Sequence, residues 1–284
     1  MWGWLSLGVL AALLWTGLLL RWRWHMLRAR TQARECDLAR GGEQSLRCFD
    51  PLMTADLPEP VQRFFAYCLS PGASLHSRAV LKMQGDFRFQ KNTPWLPLQA
   101  TQTLAAPTGM VWSARIGAGW QTMCGSDGVF AESSWTQFSW RDQLPLVHVH
   151  DNPDHYRSAV GRMLAEAVFW TPGALLTRLP VRWLALDGNT IQATLQHGSV
   201  EVCARIVLGA DGQALSLQFE RWSDANDERE YRLQPFGGML SHYRDFQGIR
   251  IPTQVEAGNF FGTDDYFPFY RVQIQSLQWC DAQS

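Results

Sequence analysis

The chain lacks every short motif that would announce a common catalytic apparatus. It has no GxSxG elbow, no HExxH helix, no phosphate loop and no dinucleotide fingerprint, so the chemistries those motifs serve have no residues to rest on. Its six cysteines (Cys36, Cys48, Cys68, Cys124, Cys203 and Cys280) show no CxxC and no metal-type spacing. They read as isolated small hydrophobes of a reducing compartment, although an even count leaves an oxidised, exported framework open. Acid is missing from the first 34 residues, which carry five arginines, and this leaves 20 basic against 26 acidic residues in the remainder. An acidic body of that kind offers no electrostatic footprint for nucleic acid. There is also no internal repeat and no low-complexity tract.

Charge is likewise absent from Trp2 to Leu20. Nineteen such residues make about 28 Å of helix, enough for a bilayer core of about 30 Å. No basic residue precedes the run and Arg21-Trp22-Arg23-Trp24-His25 follows it in place of a small-residue cleavage site, which favours a permanent single-pass anchor over a signal peptide. The expected layout is a transmembrane anchor over 1–25, a juxtamembrane helix and linker over 26–56, and one β-rich domain over 57–284. Arginines after the span and none before it place that domain on the cytosolic side of an inner (cytoplasmic) membrane, with the lipid bilayer as a partner.

What the rest of the chain does have is one long helical stretch among strands. Tyr156, Ala159, Val160, Met163, Leu164, Ala167 and Val168 recur at helical spacing. The helix is opened by Asn152-Pro153-Asp154 and stopped by Thr171-Pro172-Gly173. A shorter helix lies within Leu57–Leu69, again opened by proline. From Ser77 the apolar residues alternate with polar ones in segments at 77–90, 96–104, 110–116, 128–140, 144–149, 181–186, 190–196, 200–208, 214–221, 230–233, 239–246, 249–258 and 267–279. Turn signals separate them at Asp127-Gly128, Asp187-Gly188-Asn189, His197-Gly198, Asp211-Gly212 and Gln247-Gly248. The fold class is α+β, mostly antiparallel: a large curved sheet, or half-barrel, with one or two packed helices, because that many strands must curl or split.

Candidate site residues are few. Arg162, Glu166 and Phe169 lie off the apolar stripe of the long helix, as a solvent-facing Arg/Glu pair beside an aromatic or as the wall of a cleft. With Trp112, Trp170, Tyr243 and Arg244 they form a candidate ligand-binding set. His148, His150 and Asp151, with His155 in the next turn, are the alternative: two histidines at i, i+2 share a strand face and could begin a zinc or iron site. Asp264-Asp265 read as a solvated loop. No cofactor is implied.

Five stretches in order resemble a bacterial membrane-anchored family of unknown function: Leu57–Phe64 (LPEPVQRF); Trp95–Leu98 with Ala100 and Gln102; Pro107–Ala114 (PTGMVWSA); Arg162–Ala167 running to Pro172 and Ala174–Leu176; and Tyr243–Pro252 (YRDFQGIRIP). The resemblance implies an anchor followed by a mostly antiparallel β domain, and it carries no activity. The implied sheet is similar to that of lipoprotein carriers, which hold acyl chains in a half-barrel and work outside the inner membrane. The function expected is non-enzymatic binding of a lipid or other apolar small molecule. The alternatives are a metal-dependent or carboxylate-based hydrolase, and a membrane scaffold that recruits a protein partner.

Overall fold

The structure is a computed structural model and describes residues 2–40 and 47–280, with side chains from residue 15 onward apart from residue 20. Helix α1 (Trp2–Arg40) is followed by a 3-10 turn (Pro51–Thr54) and α2 (Glu59–Cys68). Six strands come next: β1 (Ala79–Phe87), β2 (Leu96–Ala105), β3 (Gly109–Ile116), β4 (Met123–Phe130), β5 (Ser133–Trp140) and β6 (Leu144–His150). Helices α3 (Pro153–Trp170) and α4 (Ala174–Thr177) lead to β7 (Val181–Asp187), β8 (Thr190–His197), β9 (Val200–Leu208), β10 (Ala214–Ser223), β11 (Arg232–Phe246), β12 (Ile249–Asn259) and β13 (Phe267–Trp279).

The strands form one 13-stranded antiparallel sheet in the order β6-β5-β4-β3-β2-β1-β13-β12-β11-β10-β9-β8-β7. The chain thus winds outward from the centre to β6, crosses on α3 to the opposite edge at β7, and winds back until β13 closes against β1. Among the described residues no pairing joins β6 to β7, so the sheet is open. It is nevertheless curled. Helix α3 touches both β5 and β8, which are ten places apart in the strand order and would lie about 48 Å apart in a flat sheet. The 18-residue helix is only about 27 Å long. The sheet therefore wraps α3, giving an inner concave face and an outer convex one.

Local sequence explains the helix. Asn152 Oδ1 accepts from the amides of Asp154 at 2.8 Å and His155 at 3.1 Å, and Pro153 occupies the first turn, where its missing N–H costs nothing. The stripe of Ala159, Val160, Met163, Leu164, Ala167 and Val168 is fully buried. Helix α2 packs Phe64 and Phe65 against Trp183 of β7, with ring centroids 6.0 and 5.4 Å away. Arg63 on the same helix pairs with Glu59 at 2.7 Å and donates to the carbonyls of Gly188 and Ala210, pinning two hairpin turns at once. Phe49, ahead of α2, joins the same core.

Several expectations are corrected. Among the described residues no helix is long and apolar enough to cross a membrane, so the anchor over 1–25 is not upheld. The side chains of most of the Trp2–Leu20 run lie outside the described residues, and Gly41-Gly42 of the linker lie outside them altogether. The backbone does not break at residue 25: α1 continues to Arg40, and Trp24, Thr31 and Leu38, seven residues apart, are buried. Leu38 packs with Ala105, Val111, Trp135 and Phe130 on the outer face. With the span goes the basis for an inner-membrane location, a cytosolic domain and contact with a bilayer, because the arginine asymmetry orients only a segment that crosses.

Two strand boundaries also differ. Asp127-Gly128 is not a turn but part of β4, and the chain reverses at Ala131, whose φ is 51°. The segments expected at 230–233 and 239–246 are one strand, β11, running through Pro235-Phe236-Gly237-Gly238. Pro235 pairs with Glu220 of β10 but precedes the first β12 pair, Phe236 with Asn259, so a proline fits where the strand has one neighbour.

Candidate functional site

Strand register lays out the floor of the site. One row of residues crosses the inner face: Thr136 opposite Asp127, Asp127 opposite Trp112, Trp112 opposite Gln102, and Gln102 opposite Leu81. The polar members sit in the inward phase of their strands, beside apolar neighbours such as Ala100 and Leu104 around Gln102 and Val129 next to Asp127. They are matched from above by α3, where Arg162 and Glu166 are one turn apart.

Arg162 Nη1 reaches Asp127 Oδ2 at 2.7 Å and its Nε reaches Glu166 Oε1 at 2.7 Å. Gln102 Nε2 donates to Glu166 Oε2, and the Arg162 guanidinium lies 5.6 Å from the Trp112 ring centroid. The result is a polar strap from β4 over Trp112 to β2 that fixes α3 to the sheet. Thr136 Oγ1 donates to Asp127 Oδ1 at 2.7 Å, and His155 Nε2 stands 3.4 Å from the same oxygen. Burial opposes ionisation of Asp127, but the His155 hydrogen bond, the Arg162 charge and the Thr136 hydroxyl together hold its carboxyl well below the usual carboxylate range. Burial likewise disfavours the Arg162 cation, and its two carboxylates more than offset that, raising its pKa. Both oxygens of Glu166 are engaged, so the carboxylate is tied into the strap.

Beside the strap lies a cavity of about 320 Å³ under α3, at the end of the inner face where β1 finishes and β11 begins. Its walls are mainly apolar: Phe87, Trp112, Phe138, Phe169, Phe219 and Phe236 dominate, with Asp127, Arg162, Glu166 and Arg221 as charged members. Trp170 also lines it and its indole Nε1 is buried without a hydrogen-bond partner. Arg221 extends the inward alternation Leu217, Phe219, Arg221 of β10. Its Nε donates to Ser158 Oγ at 3.2 Å and its guanidinium lies 4.9 Å from the Phe236 ring centroid. Among the described residues no carboxylate comes within salt-bridge distance of it, and burial together with the neighbouring Arg162 charge lowers its pKa to about 10.

Of the residues singled out by sequence, Trp112, Glu166, Phe169 and Trp170 line this cavity. Arg162 and Glu166 are not a solvent-facing pair: their side chains keep 14% and 15% exposure because α3 lies across the curled sheet. Tyr243 and Arg244 lie elsewhere. Tyr243 donates to the Ala214 carbonyl at 2.8 Å and packs edge-on to Tyr67, while Arg244 is exposed over Phe246. The histidines are split by the sheet. His148 and His150 oppose Gln137 and Trp135, on the phase that faces α1, whereas His155 points to Ser134, Thr136 and Asp127 on the inner side. His150 instead pairs with Asp151 at 2.6 Å. Among the described residues no three His, Cys, Asp or Glu side chains converge on a metal position.

Asp127, Thr136 and Arg221 were not singled out by sequence. Asp127 was hidden in an Asp-Gly pair that imitates a hairpin turn. The signal for all three is a polar residue in the apolar phase of a strand.

Two solved structures are similar in chain path. One is a LolA superfamily protein from Nitrosomonas europaea, 9% identical, covering 73% of this chain and 88% of that one with a TM-score of 0.43. The other is a domain from Vibrio parahaemolyticus described as an outer membrane lipoprotein-sorting protein, 6% identical, covering 73% and 87% with a TM-score of 0.40. Both likenesses concern the chain path alone. No curated protein matches the chain. A family model does match, over residues 47–272; the anchored character implied by the sequence motifs is corrected by the helices, none of which among the described residues is long and apolar enough to cross a membrane. The chain belongs to the family of unknown function DUF6544.

Proposed function

We propose that this protein is a non-enzymatic binding module that holds a lipid or another apolar small molecule in the cavity beneath α3. The observation that carries the reading is the cavity itself: about 320 Å³ of space under α3, walled mainly by aromatic rings. Ligand sites are typically of about 300–1,000 Å³, mostly apolar, with a few placed polar groups. This one matches at the lower end. The ionised groups at its margin are largely consumed in the strap that holds α3, so they shape the cavity and leave an apolar interior.

The test is binding of Nile red, an uncharged dye that brightens in apolar surroundings, to the full chain purified without detergent, with native mass spectrometry of the same sample. Saturable binding is expected, together with a co-purifying mass extractable into organic solvent. Ala257→Leu, which adds bulk to the cavity wall, should weaken dye binding about ten-fold. Equal dye binding by wild type and Ala257→Leu, or no saturable binding, would sink the proposal.

A further inference from the structure

The apolar cavity has a polar annex. A second hollow of about 220 Å³ shares Asp127, Thr136, Arg221 and Phe269 with it and is otherwise walled by His155, Ser158 and Tyr231 among others. Arg221 stands at the junction. Its situation differs from that of Arg162 in one respect: Arg162 is met by two carboxylates at 2.7 Å, whereas Arg221 is met at Nε by a serine hydroxyl and by the Phe236 ring. A guanidinium presents five N–H donors in a planar fork suited to a carboxylate or phosphate. A desolvated cation without an anion is costly to keep.

Resting on the apolar-ligand reading, we infer that the ligand is an anionic amphiphile, its apolar body in the aromatic cavity and its carboxylate or phosphate head on the Arg221 guanidinium at the mouth of the annex. Asp127 does not compete for that head as a free charge, because its oxygens are engaged by Arg162, Thr136 and His155. Asp224 is the one further carboxylate that lines the annex. The rings of Phe219 and Phe236, adjacent to the guanidinium on β10 and β11, continue the apolar wall up to the charge.

The experiment displaces Nile red from the full chain with dodecanoate, dodecyl phosphate and dodecanol, which share one chain and differ in the head. The charged pair should compete at least about ten-fold more strongly than the alcohol, as expected when a charge-assisted contact is added to the same apolar burial. Arg221→Gln should abolish that preference with dodecanol unaffected, and Arg221→Lys should retain part of it. The ratio of dodecanoate to dodecyl phosphate then tells which head is preferred. Equal displacement by all three would overturn the anionic head and leave the apolar cavity standing, whereas no displacement by any of them would overturn both. A preference that survives Arg221→Gln would place the head on another cation and also overturn the assignment.

Discussion

Each face of the sheet carries a helix with a carboxylate at its contact with the strands, and the two carboxylates are treated in opposite ways. On the inner face Asp127 meets Arg162, Thr136 and His155, and its pKa is driven down. On the outer face Glu35 of α1 meets the hydroxyl of Ser113; burial is the larger influence and its pKa is raised. The inner helix is thus fixed by charge, in register with a row of strand residues. The outer helix is held by a partly exposed ion pair, Arg28 to Asp142 at 3.1 Å, by small polar contacts such as Gln137 to Thr31 at 2.8 Å, and by Leu38, beside a hollow of about 560 Å³. Burial alone does not determine the fate of an acid. The nearest partner decides it.

The largest effect should come from breaking the inner strap. Asp127→Ala leaves the Arg162 cation with one carboxylate in place of two in a desolvated site, and should cost about 3–5 kcal/mol in denaturant unfolding. Arg162→Ala should cost a similar amount, and the double variant much less than the sum, because both substitutions remove the same contact. Acid tests the same group: a folded pKa below the unfolded one contributes stability that is complete above about pH 4 and lost as the pH falls further. The melting temperature of the wild type should therefore drop more steeply below about pH 4 than that of Asp127→Asn; parallel curves would show that the strap is not ionised. On the outer face Leu38→Ala should cost about 2–3 kcal/mol, at the lower end for a leucine because its cluster is small. A cost there equal to that of Asp127→Ala would erase the contrast between the faces.

The contrast also explains what the sequence could disclose. Alternation and turn residues place most of the strands, and Asn152-Pro153-Asp154 places the start of α3 to the residue, because these depend on neighbours along the chain. The strap does not. It depends on β4, β2 and α3 being brought together by register, and an Arg/Glu pair at i, i+4 looks the same whether water or Trp112 lies beside it. Asp127-Gly128 misleads for a related reason: the same dipeptide serves a hairpin turn and, here, a strand that must place a carboxylate inward. Gln102, Asp127 and Arg221 were legible only as polar residues in an apolar phase, a pattern that marks a site without saying which helix covers it. The apolar run at the N-terminus misled differently, since composition suggested a span while the helix that contains it continues to Arg40 and settles Leu38 on the sheet.

The smallest effect should have the opposite sign. Glu35 has a folded pKa above its unfolded one, so its favourable contribution is complete while it is protonated and is lost as the pH rises through the folded value. At about pH 7 an ionised Glu35 therefore weighs against the folded state, and Glu35→Gln, which keeps a partner for Ser113 without the charge, should raise stability by less than about 1 kcal/mol. Acidification from about pH 7 to about pH 5 should stabilise the wild type relative to Glu35→Gln, in the range where Asp127 is still fully ionised and contributes no slope. The pH difference between these two proteins isolates the outer face, just as the steeper loss below about pH 4 isolates the inner one. If Glu35→Gln lowered stability at neutral pH, the carboxylate would have to be held by a partner charge, and α1 would be fastened in the same manner as α3.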